Sequence, residues 1–442
     1  MMNVYRVLIL LMLCVACSPM ALALDLKDAV ARSLDHSSRL AAAEAQQAST
    51  SENVSIAKAL LLPNIRFNGS HQYLRQRSYY KQNIAFISPT LRATQTRAGI
   101  SLVQPIFHYD RFSRYQQGKV SSEMGDLELE AQRQLLRLEV IMSYLDAVQA
   151  SSEVDRQKDV LESLQQLAAQ TQAAFAVGTA SANDALQVQS QLDLAQADML
   201  ALKHALRLHQ TRLSTLSKSP VQRLQRFYPN WYAKVEGESW LARLLIGNLQ
   251  MRLLKEQVDM SRLQIDVDMG SALPTLDLVA GYDWQRSTAS QFGSGSISHQ
   301  SYVGLRLDVP LYAGGGAWSK LRQTQKDKLN LEHQQDQLVQ DLGLQGRELL
   351  QGIRNAQVQI KALGQAQRSA TQAHRAAQVS FEVGLKDLLE VLDAQARLSE
   401  VQGKMNQAKV SELKLKAQLY YLAGALDASY VEKIASALEA RP

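Results

Sequence analysis

At 442 residues, with 46% apolar and 20% charged positions, 22 Gly and 9 Pro, the chain holds ample material for a core, which excludes a disordered or collagen-like polymer. Aromatics reach only 6% while glutamine is abundant at 48 residues, a balance that favours long helices with weakly polar faces over an all-β sandwich. The net charge of +6 comes from 48 basic and 42 acidic residues scattered along the chain, so no basic stripe forms and nucleic acid is excluded as the expected partner.

Residues 1–23 set the expected compartment. Arg6 precedes the apolar run Val7 to Cys17, followed by Pro19 and the small-residue sequence Ala21-Leu22-Ala23, the pattern of a secretory signal cleaved before Leu24. The run is shorter than the roughly 20 residues of a spanning helix, and no later stretch replaces it. Cys14 and Cys17, the two cysteines of the chain, both lie in this segment, so their C-x-x-C spacing reads as an accident of an apolar peptide rather than a redox or metal pair. Acylation of Cys17 after Val15-Ala16 is the alternative, with Cys14 where Leu is usual.

Beyond the signal the chain repeats itself. "LLLPNIRFNGS", "ISLVQPIFHYDRF" and "FAVGTASANDALQVQSQL" recur in the same order as "SALPTLDLVAG", "LRLDVPLYAGGG" and "FEVGLKDLLEVLDAQARL". Pro63, Pro105 and Gly178 match Pro274, Pro310 and Gly384 at nearly constant spacing. The expected organisation is one unit over 24–217, a linker over 218–238, a second unit over 239–426 and a tail over 427–442. Each unit reads helix, strand, loop, strand, long helix, helix.

Four strands are expected, over about 63–75, 96–106, 274–286 and 301–312, on period-two alternation. Leu276, Leu278, Ala280, Tyr282 and Trp284 alternate with Asp277, Gly281, Asp283 and Gln285; Val303, Leu305, Leu307, Val309 and Leu311 alternate with Gly304, Arg306 and Asp308. In the first copy Ile65, Phe67 and Tyr73 alternate with Arg66, Asn68, Ser70 and Gln72, and Ala98, Ile100 and Leu102 with Arg97, Gly99 and Ser101. Each run is long enough to cross a membrane as a tilted strand, with Tyr73, Trp284 and Tyr312 near the ends where interfacial aromatics belong. Asp277, Asp283, Arg306 and Asp308 are then expected to face a lumen. An ordinary soluble sheet shows the same alternation.

The helical remainder decides between them. Asp110 to Ala176 is interrupted only by Gly118 and Gly125, and Ala317 to Val383 by a few scattered glycines, so each run spans on the order of 100 Å at 1.5 Å per residue. Leu127, Ala131, Leu135, Leu138, Met142, Leu145 and Val148 advance by threes and fours as a coiled-coil-like seam. Both runs stop at Val-Gly, Val177-Gly178 and Val383-Gly384, giving two α-hairpins. At the second tip Glu390 and Asp393 share a helix face beside Lys386 and Asp387; the first tip has one acid, Asp184, with Gln187 where Asp393 stands. Acids at a helix start are also the ordinary composition of a solvated first turn.

Enzyme chemistry finds no support. The eight histidines (36, 71, 108, 204, 209, 299, 333 and 374) form no H-E-x-x-H, and "YAGGG" at Tyr312 to Gly316 completes no phosphate loop, so neither cofactor nor metal is expected. Those glycines suit a sharp turn from strand to helix.

The duplicated unit, the "LLLPNI" and "LPTLDL" strand starts, "VGLRLDVPLYAGG" and the tip "FEVG" with "EVLDA" resemble the TolC-type outer membrane efflux proteins. The resemblance implies a homotrimer with a twelve-stranded outer-membrane β-barrel, four strands per chain, and a coiled-coil tunnel across the periplasm. It also implies docking onto an inner-membrane transporter and a periplasmic adaptor. On these residues it makes Glu390 and Asp393 the acids of a periplasmic constriction. Asp184 and Lys386 become links between hairpins, and Phe381 stands in for a hydrogen-bonding Tyr, which weakens the closed state. Independently, four strands cannot close, and open edges in lipid leave backbone groups unpaired, so several chains must complete one barrel. Two chains give a filled interior, three an open bore that suits the polar inward residues. The competing expectation is a periplasmic coiled-coil adaptor with no barrel of its own.

Overall fold

The computed structural model describes residues 24–79, 90–221, 224, 237–290, 293–312, 314–383, 385 and 387–438. The expected signal segment 1–23, most of the expected linker, and Gly384 and Lys386 at the second tip lie outside the described residues. In chain order the elements are α1 (Leu26–His36), α2 (Ser38–Ala59), β1 (Asn64–Arg77), β2 (Thr90–Phe107), α3 (Tyr109–Ala176) and α4 (Ala182–Ser217). The second half continues with α5 (Gly237–Gly247), α6 (Leu249–Gly270), β3 (Thr275–Ser287), β4 (Ser296–Asp308), α7 (Gly316–Glu382), α8 (Leu388–Leu422) and α9 (Ala428–Leu438). Helix, strand, strand, long helix and helix recur in the same order in both halves. Two compact units result, one of Glu44–Glu128 with Arg252–Gln337, the other of Met1–Ala43, Leu129–Met251 and Leu338–Pro442.

The first of these contains a four-stranded antiparallel sheet in the order β1-β2-β3-β4. Residues opposite one another in an antiparallel pair share a face, and the register sorts the side chains cleanly. One face carries the rows Ile65–Leu102–Ala280–Val303 and Phe67–Ile100–Tyr282–Ser301, with Leu278 opposite Leu305 and Leu276 opposite Leu307. The other carries Asp277 opposite Arg306, Asp283 between Gly99 and Gln300, and Thr275 opposite Asp308. Two glycines serve this polar face: a Cβ on Gly99 would sit 2.3 Å from Asp283 Oδ1, and one on Gly281 2.5 Å from the Tyr302 ring.

Strand ends differ from expectation chiefly in β2 and β4; β4 begins at Ser296, ahead of the expected 301, where Ser296 pairs with Ser287. β2 begins at Thr90, not near 96, because its polar start pairs through to Arg77 opposite Thr90 and the ladder satisfies backbone groups that side-chain alternation does not advertise. β4 ends at Asp308, so Val309, Leu311 and Tyr312 lie beyond it; Pro310 has no N–H to extend the ladder, and Leu311 and Tyr312 are 93% and 88% exposed. The turn into α7 then uses left-handed backbone at Gly314 (φ 64°) and Gly315 (φ 79°).

In the same unit α3 runs unbroken through Gly118 and Gly125. These glycines admit α2: a Cβ at Gly118 would meet the Asn53 carbonyl oxygen at 2.8 Å, and one at Gly125 would meet the Thr50 side chain at 3.2 Å. Asn53 Nδ2 donates to Ser121 Oγ at 3.0 Å and Gln47 Nε2 to Asp126 Oδ1 at 2.7 Å, so this contact is stitched by polar groups rather than by a leucine seam.

Among the described residues the other unit is helical apart from one isolated parallel bridge between Leu24 and Leu224. Its main core joins Leu26 and Val30 of α1, Val140, Ile141, Tyr144, Leu145 and Val148 of α3, Leu213 of α4, Val410, Leu413 and Ala417 of α8, and Tyr430, Ile434 and Leu438 of α9. Of the expected α3 seam, Leu145 and Val148 are buried here and Leu138 and Met142 only partly; Val140, Ile141 and Tyr144 complete a broader stripe because α3 has neighbours on more than one side. Trp240 and Leu244 of α5 pack with Leu350 and Ile353 of α7 and with Leu419. Tyr420 bridges these cores, edge-on to Trp240 at 4.6 Å and stacked on Tyr430 at 3.7 Å. Burial first, then the neighbouring Tyr420 and Glu412, hold the Tyr430 phenol well above its ordinary pKa, so it stays neutral.

Candidate functional site

The hairpin tips place the predicted gate residues. α3 ends at Ala176, Gly178 turns with φ 79°, and α4 starts in a capping box. Asp184 N donates to Ser181 Oγ at 3.1 Å, while Ser181 Oγ and N donate back to Asp184 Oδ2 at 2.7 and 3.2 Å. The Asp184 carboxylate is therefore engaged within its own tip; its predicted partner Lys386 lies outside the described residues. The spacing Ser181-x-x-Asp184 was the sequence signal for this cap.

The second tip is built differently. Asp387 is the N-cap of α8 yet makes no side-chain cap hydrogen bond, and Glu390 occupies the first turn. Leu388, Val391 and Leu398 are buried whereas Glu390 and Asp393 are exposed, so both acids occupy the face turned away from the hairpin's packing. Phe381 is half-buried and borders two cavities. One, of about 620 Å³, lies between the tips, with the carboxylates of Asp184, Glu382 and Asp387 on its wall. The other, of about 220 Å³, is lined largely by amides (Gln166, Gln170, Gln378, Gln395) around His374. Among the described residues His374 Nε2 has no hydrogen-bond partner, and burial pushes the ring below its ordinary pKa, opposed by a hydrogen bond that the ring donates to the Gln395 side chain.

At the base of the sheet's polar face, Asp277 gathers a cluster that sequence reasoning missed. Its Oδ1 meets His108 Nε2 at 2.9 Å and its Oδ2 lies 3.9 Å from Arg306 Nε, while His108 Nδ1 is 3.8 Å from Asp110. His108 follows β2 directly, so the cluster ties the strand-to-helix join to β3 and β4. Asp283 and Asp308 share the face but join no such cluster. Among the described residues no group of three or more His, Cys, Asp or Glu is placed to hold a metal, and no helix is long and apolar enough to cross a membrane.

Comparison with known proteins supplies the family. The model for "Outer membrane efflux protein" matches residues 29–217 and 240–425, both halves of the duplicated chain. The chain belongs to this family. Among relatives, the alkaline protease secretion protein AprF of Pseudomonas aeruginosa is 26% identical over 76% of this chain and 71% of its own length. The proteases secretion protein PrtF of Dickeya chrysanthemi is 26% identical over 96% of this chain and 93% of its own. In fold, the chain superposes on the CmeC outer membrane channel of Campylobacter jejuni with a TM-score of 0.77 at 15% identity, covering 94% of this chain and 90% of that one. The protein is thus an outer membrane efflux channel, a transport protein rather than an enzyme, with a periplasmic helical extension. Channels of this family are homotrimers that work with inner-membrane transporters and adaptors. A free-standing periplasmic adaptor is excluded.

Proposed function

We propose that this channel is the exit duct of a protein-secreting, type I system, and that its second hairpin tip forms the periplasmic gate. The observation that carries the cargo assignment is the match to PrtF, which spans 96% of this chain and whose name records secretion of proteases. Three four-stranded sheets close into one barrel, since β1 and β4 otherwise present unpaired edges to lipid. The face holding Asp277, Asp283, Arg306 and Asp308 lines the bore, and the face holding Leu276, Leu278, Leu305 and Leu307 meets acyl chains. Three copies of Glu390 and Asp393 then surround the axis at the entrance, Lys386 and Asp184 link adjacent hairpins, and Phe381, unable to donate a hydrogen bond, leaves the closed state less firmly tied.

Removing the gene tests the cargo: secreted protein is expected to vanish from the medium while drug susceptibility stays unchanged. The opposite pattern refutes it. The gate is tested in planar bilayers, where divalent cations on the periplasmic side are expected to block the wild type, because a ring of carboxylates concentrates cations. Glu390→Ala with Asp393→Ala should abolish the block; an equal block in the double variant places the constriction elsewhere.

A further inference from the structure

The sheet's apolar face changes character towards the hairpin ends. Beyond the row that holds Tyr73, the register brings Arg75 directly opposite Arg92 and Arg77 opposite Thr90, and it places Arg286 opposite Thr96, one row beyond Trp284 and one row short of Tyr73, all on the side shared with Phe67 and Ile100. Arg75, Arg77, Arg92 and Arg286 are exposed, and no acid pairs with any of them among the described residues. Arg77 lies over the Tyr79 ring at 5.3 Å, which leaves its N–H donors available. The chain has no Asp or Glu from residue 53 to 109, nor from 284 to 307, so neither hairpin can supply a counter-charge. The polar face differs: there Arg306 has Asp277, and Asp283 and Asp308 add negative charge.

Two arginines directly opposite each other on a sheet repel and weaken the pair unless an anion lies between them. Guanidinium forks bind phosphate oxygens in paired, charge-assisted hydrogen bonds. Residues one or two rows beyond an aromatic girdle stand about 7 to 14 Å further along the strand, at the level where lipid head groups begin.

We propose that Arg75, Arg92 and Arg286, with Arg77 at the rim, form a binding surface for the phosphate groups of phosphorylated glycolipid in the outer leaflet. The inference rests on the apolar face meeting lipid. The bound phosphates neutralise the Arg75–Arg92 repulsion, so the lipid completes the outer wall of the barrel and holds it at a fixed depth. The apolar side of the sheet carries four arginines and no acid, while the polar face offsets Arg66, Arg97 and Arg306 with Asp277, Asp283 and Asp308, a contrast that matches an anionic lipid rather than an anionic cargo in the bore.

The test is native mass spectrometry of the purified full-length channel with bisphosphorylated lipid A, its dephosphorylated form, or inorganic phosphate alone. The wild type is expected to retain the bisphosphorylated lipid about tenfold more tightly than the dephosphorylated one. Arg75→Gln with Arg92→Gln and Arg286→Gln should lose that preference, while Arg97→Gln on the opposite face should keep it. Equal retention of both lipids, an unchanged preference in the triple variant, or inorganic phosphate binding as tightly as the lipid overturns the proposal. Should the triple variant fail to assemble, Arg92→Gln and Arg92→Lys provide the readout: the first is expected to weaken the preference and the second to preserve most of it, and identical behaviour of the two overturns the proposal. Brominated acyl chains check the underlying reading through quenching of Trp284. If Trp284→Phe leaves quenching unchanged, the apolar face does not meet lipid and the proposal falls with it; if quenching needs Trp284 yet both lipids bind equally, the phosphate surface alone is overturned.

Discussion

The two hairpins are copies of one unit, yet they keep their polar groups in different places. Aligned on Gly178 and Gly384, the second copy has His374, Asp393, Glu412 and Lys416 where the first has Ala168, Gln187, Leu206 and Gln210. In the first copy the tip acid, Asp184, closes a capping box through its Oδ2. In the second, Lys416 and Glu412 form an ion pair at 2.6 Å with side chains 1% and 8% exposed, Gln357 Nε2 donates to Glu412 at 2.9 Å, His374 sits in an amide-lined cavity, and the tip acids are exposed. Duplication therefore preserved the scaffold while the copies diverged in charge. The first tip closes its acid into its own cap, whereas the second hairpin holds one acid paired in the core and leaves its tip acids exposed.

Breaking the ion pair should have the largest effect. Lys416→Met leaves Glu412 charged and buried, and is expected to destabilise the folded channel by about 3–5 kcal/mol. Adding Glu412→Leu removes the orphaned charge and should recover most of that loss, whereas Gln210→Met at the corresponding site of the first copy should be near neutral. Thermal unfolding in detergent reads all three. If Lys416→Met is as mild as Gln210→Met, the contrast between the copies is one of sequence only.

The caps come next. Ser181→Ala removes both directions of the capping box and is expected to cost about 1 kcal/mol, felt as faster hydrogen exchange in the first turns of α4. Asp387→Ala, at a position with no side-chain cap bond, should leave the start of α8 almost unchanged. Equal exchange in both variants would mean that the tips are held by neighbouring chains rather than by their own caps.

The smallest effect is pH-dependent. His374 is held below its ordinary pKa by burial, so the unfolded or opened hairpin takes up its proton first. The contribution to stability is present above about pH 6.5 and is lost as the pH falls through the lower folded value. Around the ring, α3 and α8 contribute neutral groups to the cavity, and Glu382 on its own helix α7 is the one acid lining it. Hydrogen exchange near residues 370–378 is expected to quicken on acidification, and His374→Gln should flatten that response. An identical pH profile in His374→Gln assigns the change to the tip acids instead.

Much of the fold was legible because it rests on local periodicity. Alternation places Leu276 to Trp284 and Val303 to Leu307 on one face, and the register agrees residue for residue. The runs without proline give α3 and α7 with ends within a residue or so of Tyr109–Ala176 and Gly316–Glu382, since helix continuity depends on neighbours three and four positions away. Where the chain's next neighbour came from elsewhere, the reading failed. The polar start of β2 forms a strand because β1 is beside it; Gly118 and Gly125 look like interruptions until α2 packs against them.

For the candidate site the division is similar. Residue types and spacing named Glu390 and Asp393 as a shared face, because that is a relation along one helix, while Phe381 was singled out only by the family resemblance. That His108 reaches Asp277 from 169 positions away, and that Arg75 stands opposite Arg92 on the apolar side, depended on strand pairing. Lys416 is a further case, since its sequence context reads as a solvated helix face and only the packing of α8 takes it out of water. Local hydrogen bonding and side-chain periodicity are encoded in contiguous residues; burial and long-range charge pairing exist once distant elements meet, and the tertiary structure alone decides them.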